Sequence, residues 1–294
     1  MHYIYLLITV LLYFPINIFN KLTSSETNTK ESLVKITLFR AFVGLILGGA
    51  LLVVTGTDIV FSVNAIGPAI LFGFLLAVGL LTVFLSLQLT TVATSTMFMS
   101  ASVVISGIFG VLFLGDKLTI GKLAGTLILL GSMYLIVSNK EEKKKFTFKA
   151  FLACMGVMLT NGFGTIAILL FANGAPEVPE SVFMFVAYIV DFVLLAIFYL
   201  LLRLRKGGKK EPVKFSKKLL AFGSFGAVSL FFNQQFSTAI SDIFPTTILA
   251  PLNMGCNVFI SVLVGLFLFK EKPSIKNIIG IVIAFLSLLM INFL

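Results

Sequence analysis

The sequence predicts an all-α polytopic membrane protein with ten transmembrane helices in two inverted five-helix repeats. Three observations carry that expectation. Of 294 residues, 59% are hydrophobic and 12% charged, about half the charged share of a soluble chain, and mean hydropathy is +1.10. A chain this apolar cannot bury its surface in one soluble core and needs lipid as solvent. Apolar runs of about 20 residues, which cross a hydrocarbon core of roughly 30 Å at 1.5 Å per residue, recur along the whole length. Finally, the apolar sequence occurs twice: Thr91–Ser138 aligns without a gap onto Thr246–Phe293, 155 positions later.

The ten runs lie near 2–20, 33–54, 66–87, 92–114, 119–138, 150–172, 181–202, 218–240, 244–269 and 274–293. Span one follows Met1 with no basic segment and ends at no small-residue cleavage site, so it reads as a retained helix rather than a signal peptide. It carries Pro15, Asn17 and Asn20. Span two holds Arg40 and a Gly44-x-x-x-Gly48 stripe; span three ends near Gln88, which reads as interfacial. Span four carries Ser102, Ser106 and Gly110 on one face, a spacing that lets helices approach closely. Span five contains Gly121 and Gly125. In span six Asn161 neighbours Gly162 and Gly164; in span seven Asp191 sits ten residues deep. Span eight groups Asn233, Gln234 and Gln235. Span nine has Pro251, Asn253 and the stripe Asn257, Ser261, Gly265; span ten contains Gly280.

The duplication organises these runs. Met99, Val103, Ile105, Ser106 and Gly110 recur as Met254, Val258, Ile260, Ser261 and Gly265. Asp116-Lys117 recurs as Glu271-Lys272, and Gly125 as Gly280. Upstream the offset is 151, pairing Ser86 with Ser237 and Arg40 with Asp191, so the second copy gains four residues around Ser241–Pro245. The expected units are a first repeat at 1–138, a basic linker at 139–149 and a second repeat at 150–294. Five spans per repeat is an odd number, so the second must insert upside down relative to the first.

The net charge of +10 concentrates in short loops, which excludes the folded basic face a nucleic-acid binder needs. Lys21, Lys30 and Lys35 flank the first break, Lys140 to Lys149 the fifth, Arg203 to Lys218 the seventh, and Lys270, Lys272 and Lys276 the ninth. The opposite loops offer Lys117 and Lys122. The positive-inside rule then places both termini outside the cytoplasm. Cys154 and Cys256 both lie in apolar spans and predict no disulfide framework. With His2 as the single histidine, no metal or haem spacing exists, and neither a Walker motif nor a catalytic triad is present. We expect no cofactor and no enzyme.

Ionisable groups within a span are expensive, roughly 2.5–3.5 kcal/mol at a helix centre on insertion scales. Asp191, about 15 Å deep at 1.5 Å per residue, reads as a proton-coupling carboxylate, a counter-ion for a cationic substrate, or a structural partner of Arg40. Arg40 is seven residues into its helix; the default expectation is that it snorkels to headgroups, and binding an anionic substrate group is the sharper alternative. The amides Asn17, Asn161, Asn233, Gln234, Asn253 and Asn257 must face water, substrate or one another, since an unpaired amide in hydrocarbon costs several kcal/mol. They are the expected substrate-binding set. Tyr188 joins them among aromatic candidates that also include Tyr13, Phe14, Phe163, Phe231 and Phe232, for each of which lipid or core contact is the plainer reading.

Leu114-Gly115-Asp116-Lys117-Leu118-Thr119 with Gly125, and Phe269-Lys270-Glu271-Lys272-Pro273-Ser274 with Gly280, resemble the acidic turn and glycine-containing final helix of the drug/metabolite transporter superfamily, EamA-like branch. The resemblance covers nearly the whole chain. Asp116 stands where the family has Glu, Lys270 where it has Gly, and Trp is absent. The resemblance implies a cavity between the repeats, lined by spans one to four and six to nine, with five and ten peripheral. It implies a secondary transporter of a small organic metabolite (an amino acid, amine, nucleobase or drug-like molecule) in the plasma membrane, working by alternating access. Its partners would be that substrate, the lipid bilayer and candidate coupling protons, in a monomer or homodimer. A flippase for a lipid or isoprenoid-linked head group is the alternative, with Arg40 as its one intramembrane support.

Overall fold

A computed structural model describes all residues except 1, 28, 61, 114–118, 138–145, 206–215, 240–245, 272–274 and 294. The expectations attached to Asp116, Lys117, most of the basic linker, most of the basic loop after span seven and the Ser241–Pro245 insertion lie outside the described residues. The regular elements are all helices: α1 (His2–Glu26), α2 (Lys30–Thr55), α3 (Val63–Leu89), α4 (Val92–Ser100), α5 (Val103–Phe113), α6 (Ile120–Val137), α7 (Phe148–Gly174), α8 (Glu180–Arg205), α9 (Lys217–Ala239), α10 (Thr246–Phe267) and α11 (Ile275–Phe293). Together they make the ten spans of a polytopic membrane protein. Six of the ten spans are long and apolar enough to cross a bilayer unaided, α4 and α5 counting together. The lipid face is a coat of exposed side chains such as Leu7, Ile46, Leu112, Phe198 and Phe259.

Local chemistry sets the helix ends. The Thr29 side chain accepts from the Ser32 amide and Ser32 answers to the Thr29 amide, a reciprocal cap that starts α2. Thr91 and Thr147 cap α4 and α7 through the amides of Thr94 and Ala150. α2 stops at Gly56, whose φ of 61° is left-handed.

The helix pairing repeats the internal duplication. α3 packs along α7, and α1 packs along α9; exchanging each span for its counterpart five spans away converts one pair into the other. α3 with α8 and α2 with α9 form a second such couple. α2 with α8, α4 with α10, and α6 with α11 each pair a span with its own counterpart. These last three pairs therefore straddle a pseudo-two-fold axis.

The Gly44/Gly48 stripe serves the α2–α8 contact. A Cβ on Gly44 would lie 2.7 Å from the Tyr188 ring, and one on Gly48 would lie 3.3 Å from Phe185. One expectation of continuity fails. Span four is two helices, α4 and α5, separated by a turn at Ala101–Ser102. There the bonding tightens to i→i−3: Ser102 N–H reaches Met99 O, Val104 N–H reaches Ala101 O, and Ile105 N–H reaches Ser102 O. Ser102 lies in that turn with its carbonyl accepting the Ser106 N–H at 3.3 Å, and Ser106 and Gly110 continue along α5.

Candidate functional site

A cavity of about 240 Å³ lies in the middle of the bundle. Its wall comes from α1, α3, α4, α7, α8, α9 and α10; α2, α6 and α11 contribute nothing among the described residues. Of the residues singled out from the sequence, Asn17, Asn161, Asn233, Gln234 and Asn257 line it, together with Asn20 and Tyr13. Met99 and Met254, equivalent in the two repeats, face it together. Hydroxyls from Ser95, Thr96, Thr160, Thr165 and Ser237 complete its polar surface.

The amides are held individually. Asn17 Nδ2 donates to Asn257 Oδ1 at 2.9 Å, joining α1 of the first half to α10 of the second. Asn257 Nδ2 in turn lies 3.8 Å from Met99 Sδ. Asn233 Nδ2 donates to Thr9 O at 2.8 Å. Asn161 Nδ2 donates to Val157 O at 2.9 Å, one turn back on its own helix. Buried amides in these pairings lose little of their hydrogen bonding, while their remaining polar atoms stay available to the cavity.

The other candidates lie behind the wall or away from it. Tyr188 is buried and gives its hydroxyl proton to Gln234 Oε1 at 2.6 Å, so it supports a wall residue from α8. Asn253 is 4% exposed, lies off the cavity, and keeps Oδ1 without a hydrogen bond. Phe14, Phe163 and Phe232 are exposed, whereas Phe231 packs on Tyr188 with ring centroids 5.8 Å apart. Asp191 is 1% exposed and its Oδ1 has no hydrogen-bond partner.

Arg40 corrects the snorkelling expectation. It is 2% exposed, because its face of α2 turns to the bundle rather than to headgroups. Its Nη1 donates to Asn20 Oδ1 at 2.6 Å. The guanidinium carbon stands 5.2 Å from the Phe84 ring centre, and a Cβ on Gly226 would lie 3.1 Å from it. Arg40 and Asp191 form no ion pair with each other, whereas Lys21 and Glu271 do.

That pair closes one end of the bundle, and it was not anticipated. Lys21 Nζ lies 3.4 Å from Glu271 Oε1 and donates to Leu87 O and Thr90 O at 2.9 and 3.0 Å. The Glu271 carboxylate accepts the Val92 N–H at 3.2 Å with both oxygens, the place where a helix amino end favours negative charge. Gln88, expected at the interface, instead bonds Ser24 O and Thr27 O at 3.2 and 2.7 Å. The ends of α1, α3 and α10 and the start of α4 are thereby laced together beyond Leu87 and Ser95. Lys270 precedes Glu271 with φ of 50°, the left-handed conformation that suits the glycine of the family pattern.

Ten spans, two-fold pairing of the halves and a shared central cavity define a polytopic carrier-like membrane protein. Residues 2–138, a little under half of the chain, match the EamA-like transporter family, a branch of the drug/metabolite transporter superfamily. A crystal structure of another protein aligns over 97% of this chain and 98% of its own, with a TM-score of 0.62 at 16% identity, a likeness of fold alone. No curated protein matches the chain. The protein is a multi-pass membrane protein whose first half is similar to transporters of this type.

Proposed function

We propose that the protein is a secondary active transporter of a small organic metabolite in the plasma membrane, working by alternating access around the central cavity. The observation that carries this is the Asn17–Asn257 bond, because it sets a polar contact between the two halves in the cavity wall itself. A rocking motion of one half against the other would make or break it, exposing the same site to either side. The Lys21–Glu271 clasp supports a closed gate at the face that the positive-inside rule assigns to the cytoplasm. The carrier reading is favoured over the flippase alternative by the position of Arg40, which is buried and bonds Asn20 inside the bundle.

Asp191, buried without a partner on Oδ1, is the residue best placed to couple protons. In proteoliposomes, Asp191→Asn should abolish pH-driven accumulation of substrate while leaving substrate exchange within about two-fold of wild type. Wild-type behaviour in both assays would remove Asp191 from the mechanism. Loss of folded protein in Asp191→Asn, partly recovered with Arg40→Gln, would make it a structural counter-charge instead.

A further inference from the structure

We infer that the cavity selects an uncharged solute bearing both a carbonyl and an N–H group, such as a cyclic imide or lactam, and that Arg40 is the positioning residue that sets this preference through Asn20. The inference deepens the transport reading above and rests on it.

Size comes first. A dry cavity of about 150 Å³ accepts benzene, so about 240 Å³ holds a substituted ring or a small bicycle. Charge comes next. No Asp, Glu, Lys, Arg or His occurs among the described residues of the wall. An ion entering it would lose hydration worth several kcal/mol with no counter-charge to repay the loss. Arg40 and Asp191, the buried charges nearby, stand outside the wall.

The donor and acceptor pattern is the specific part. An asparagine offers an oxygen acceptor at one end of its amide and an NH₂ donor at the other. With Asn20 Oδ1 held by the Arg40 guanidinium at 2.6 Å, the Nδ2 group is left for the cavity. Asn17, three residues earlier on the same face of α1, is turned the other way. Its Nδ2 gives one of its two protons to Asn257, which fixes the amide and leaves Oδ1 as an unclaimed acceptor. Asn161 likewise gives one Nδ2 proton to Val157 O and keeps Oδ1 as an acceptor. The wall thus offers a donor at Asn20 beside an acceptor at Asn17, with a second acceptor on α7. An adjacent C=O and N–H on a ring complement the first two.

A neutral partner for Asn20 would let its amide rotate and present either end. The charge-assisted bond from Arg40 is about twice as strong as a neutral one, and it fixes the orientation. Arg40 makes no other hydrogen bond among the described residues, since Nε and Nη2 are buried without partners. Its polar function is therefore concentrated on this one amide.

The test uses purified full-length protein in nanodiscs with tritiated uracil as the probe. Glutarimide and 2-piperidone serve as neutral competitors, benzylamine as the cation and benzoate as the anion, and counterflow of each is measured in proteoliposomes. Uracil and the neutral competitors should bind and exchange, and the two ions should not. Asn20→Asp keeps a partner for Arg40 but replaces the donor with an acceptor; it should weaken uracil binding at least tenfold without lowering the melting temperature. Arg40→Lys should keep more binding than Arg40→Gln.

Uracil binding unchanged in Asn20→Asp would overturn the role of Arg40. Benzoate binding that disappears in Arg40→Gln, or benzylamine binding that disappears in Asp191→Asn, would overturn the ligand class while leaving the transporter reading intact. If no probe of any charge binds or exchanges, the ligand class fails together with the assignment of this cavity as the transport site.

Discussion

Span four and span nine align residue for residue, yet one is broken and the other is not. In the first half the chain turns at Ala101–Ser102 between α4 and α5, whereas α10 runs unbroken from Thr246 to Phe267. The position of Ser102 is taken in the second half by Asn257, which lines the cavity and bonds Asn17. Met99 and Met254, by contrast, are identical and do the same thing in both halves. Where the copies agree at these methionines they give the cavity a symmetric apolar wall, and where they diverge they give it the amide that joins the halves. The sequence around the break is consistent with this. Val103, Val104 and Ile105 put three β-branched residues in a row after a serine, a run that weakens helix locally. α10 interrupts the equivalent stretch with Phe259.

The largest effect should separate these two equivalent positions. Removing Asn257 deletes a wall amide and orphans Asn17, a loss of about 1–3 kcal/mol. Asn257→Ala should therefore lower substrate flux in proteoliposomes about tenfold or more, while Ser102→Ala should stay within about two-fold. Equal losses in the two variants would mean that the halves contribute symmetrically and that the divergence is incidental.

A smaller effect belongs to the turn that follows span nine. Glu271→Gln keeps the shape of the side chain but removes the charge that meets Lys21 and the α4 amino end. It should destabilise the folded protein by about 1–2 kcal/mol, read as a lower melting temperature in detergent. Single cysteines introduced at Ser95 should then react faster with a soluble thiol reagent. An unchanged melting temperature would show that the carboxylate only rests there.

The smallest effect makes the two turns alike. Gly115 occupies in the first copy the place that Lys270 holds in the second, and Lys270 adopts φ of 50°. Holding a side chain in that region costs about 1–2 kcal/mol, part of which the freedom of an unfolded glycine would offset. Lys270→Gly should stabilise the protein by about 0.5–1 kcal/mol. A loss of stability would mean that the lysine side chain holds a contact worth more than the strain.

The spans and their two-fold pairing were legible in the sequence because hydropathy and repetition are properties of order along the chain. Several amides of the cavity were legible too, because an amide in hydrocarbon has few places to go. Arg40 was misread for a reason of geometry. Counting residues from a helix end gives depth but not azimuth, and its partner Asn20 is fixed only when α1 packs. Asn253 failed in a similar way, one turn from Asn257 yet off the cavity. Glu271 could be seen only as part of a recurrent turn, because the amide it caps belongs to the opposite half.

The clasp also has a history in time. Glu271 lies 179 residues beyond Val92, the amide it caps. A ribosome adding about 5–20 residues per second needs roughly 10–40 s to cover that distance. For this interval the Val92 amide lacks its carboxylate and Lys21 its acid, while Thr91 caps Thr94 from within the first half. The first half is therefore born unfinished, and the motif that completes it is supplied by the second.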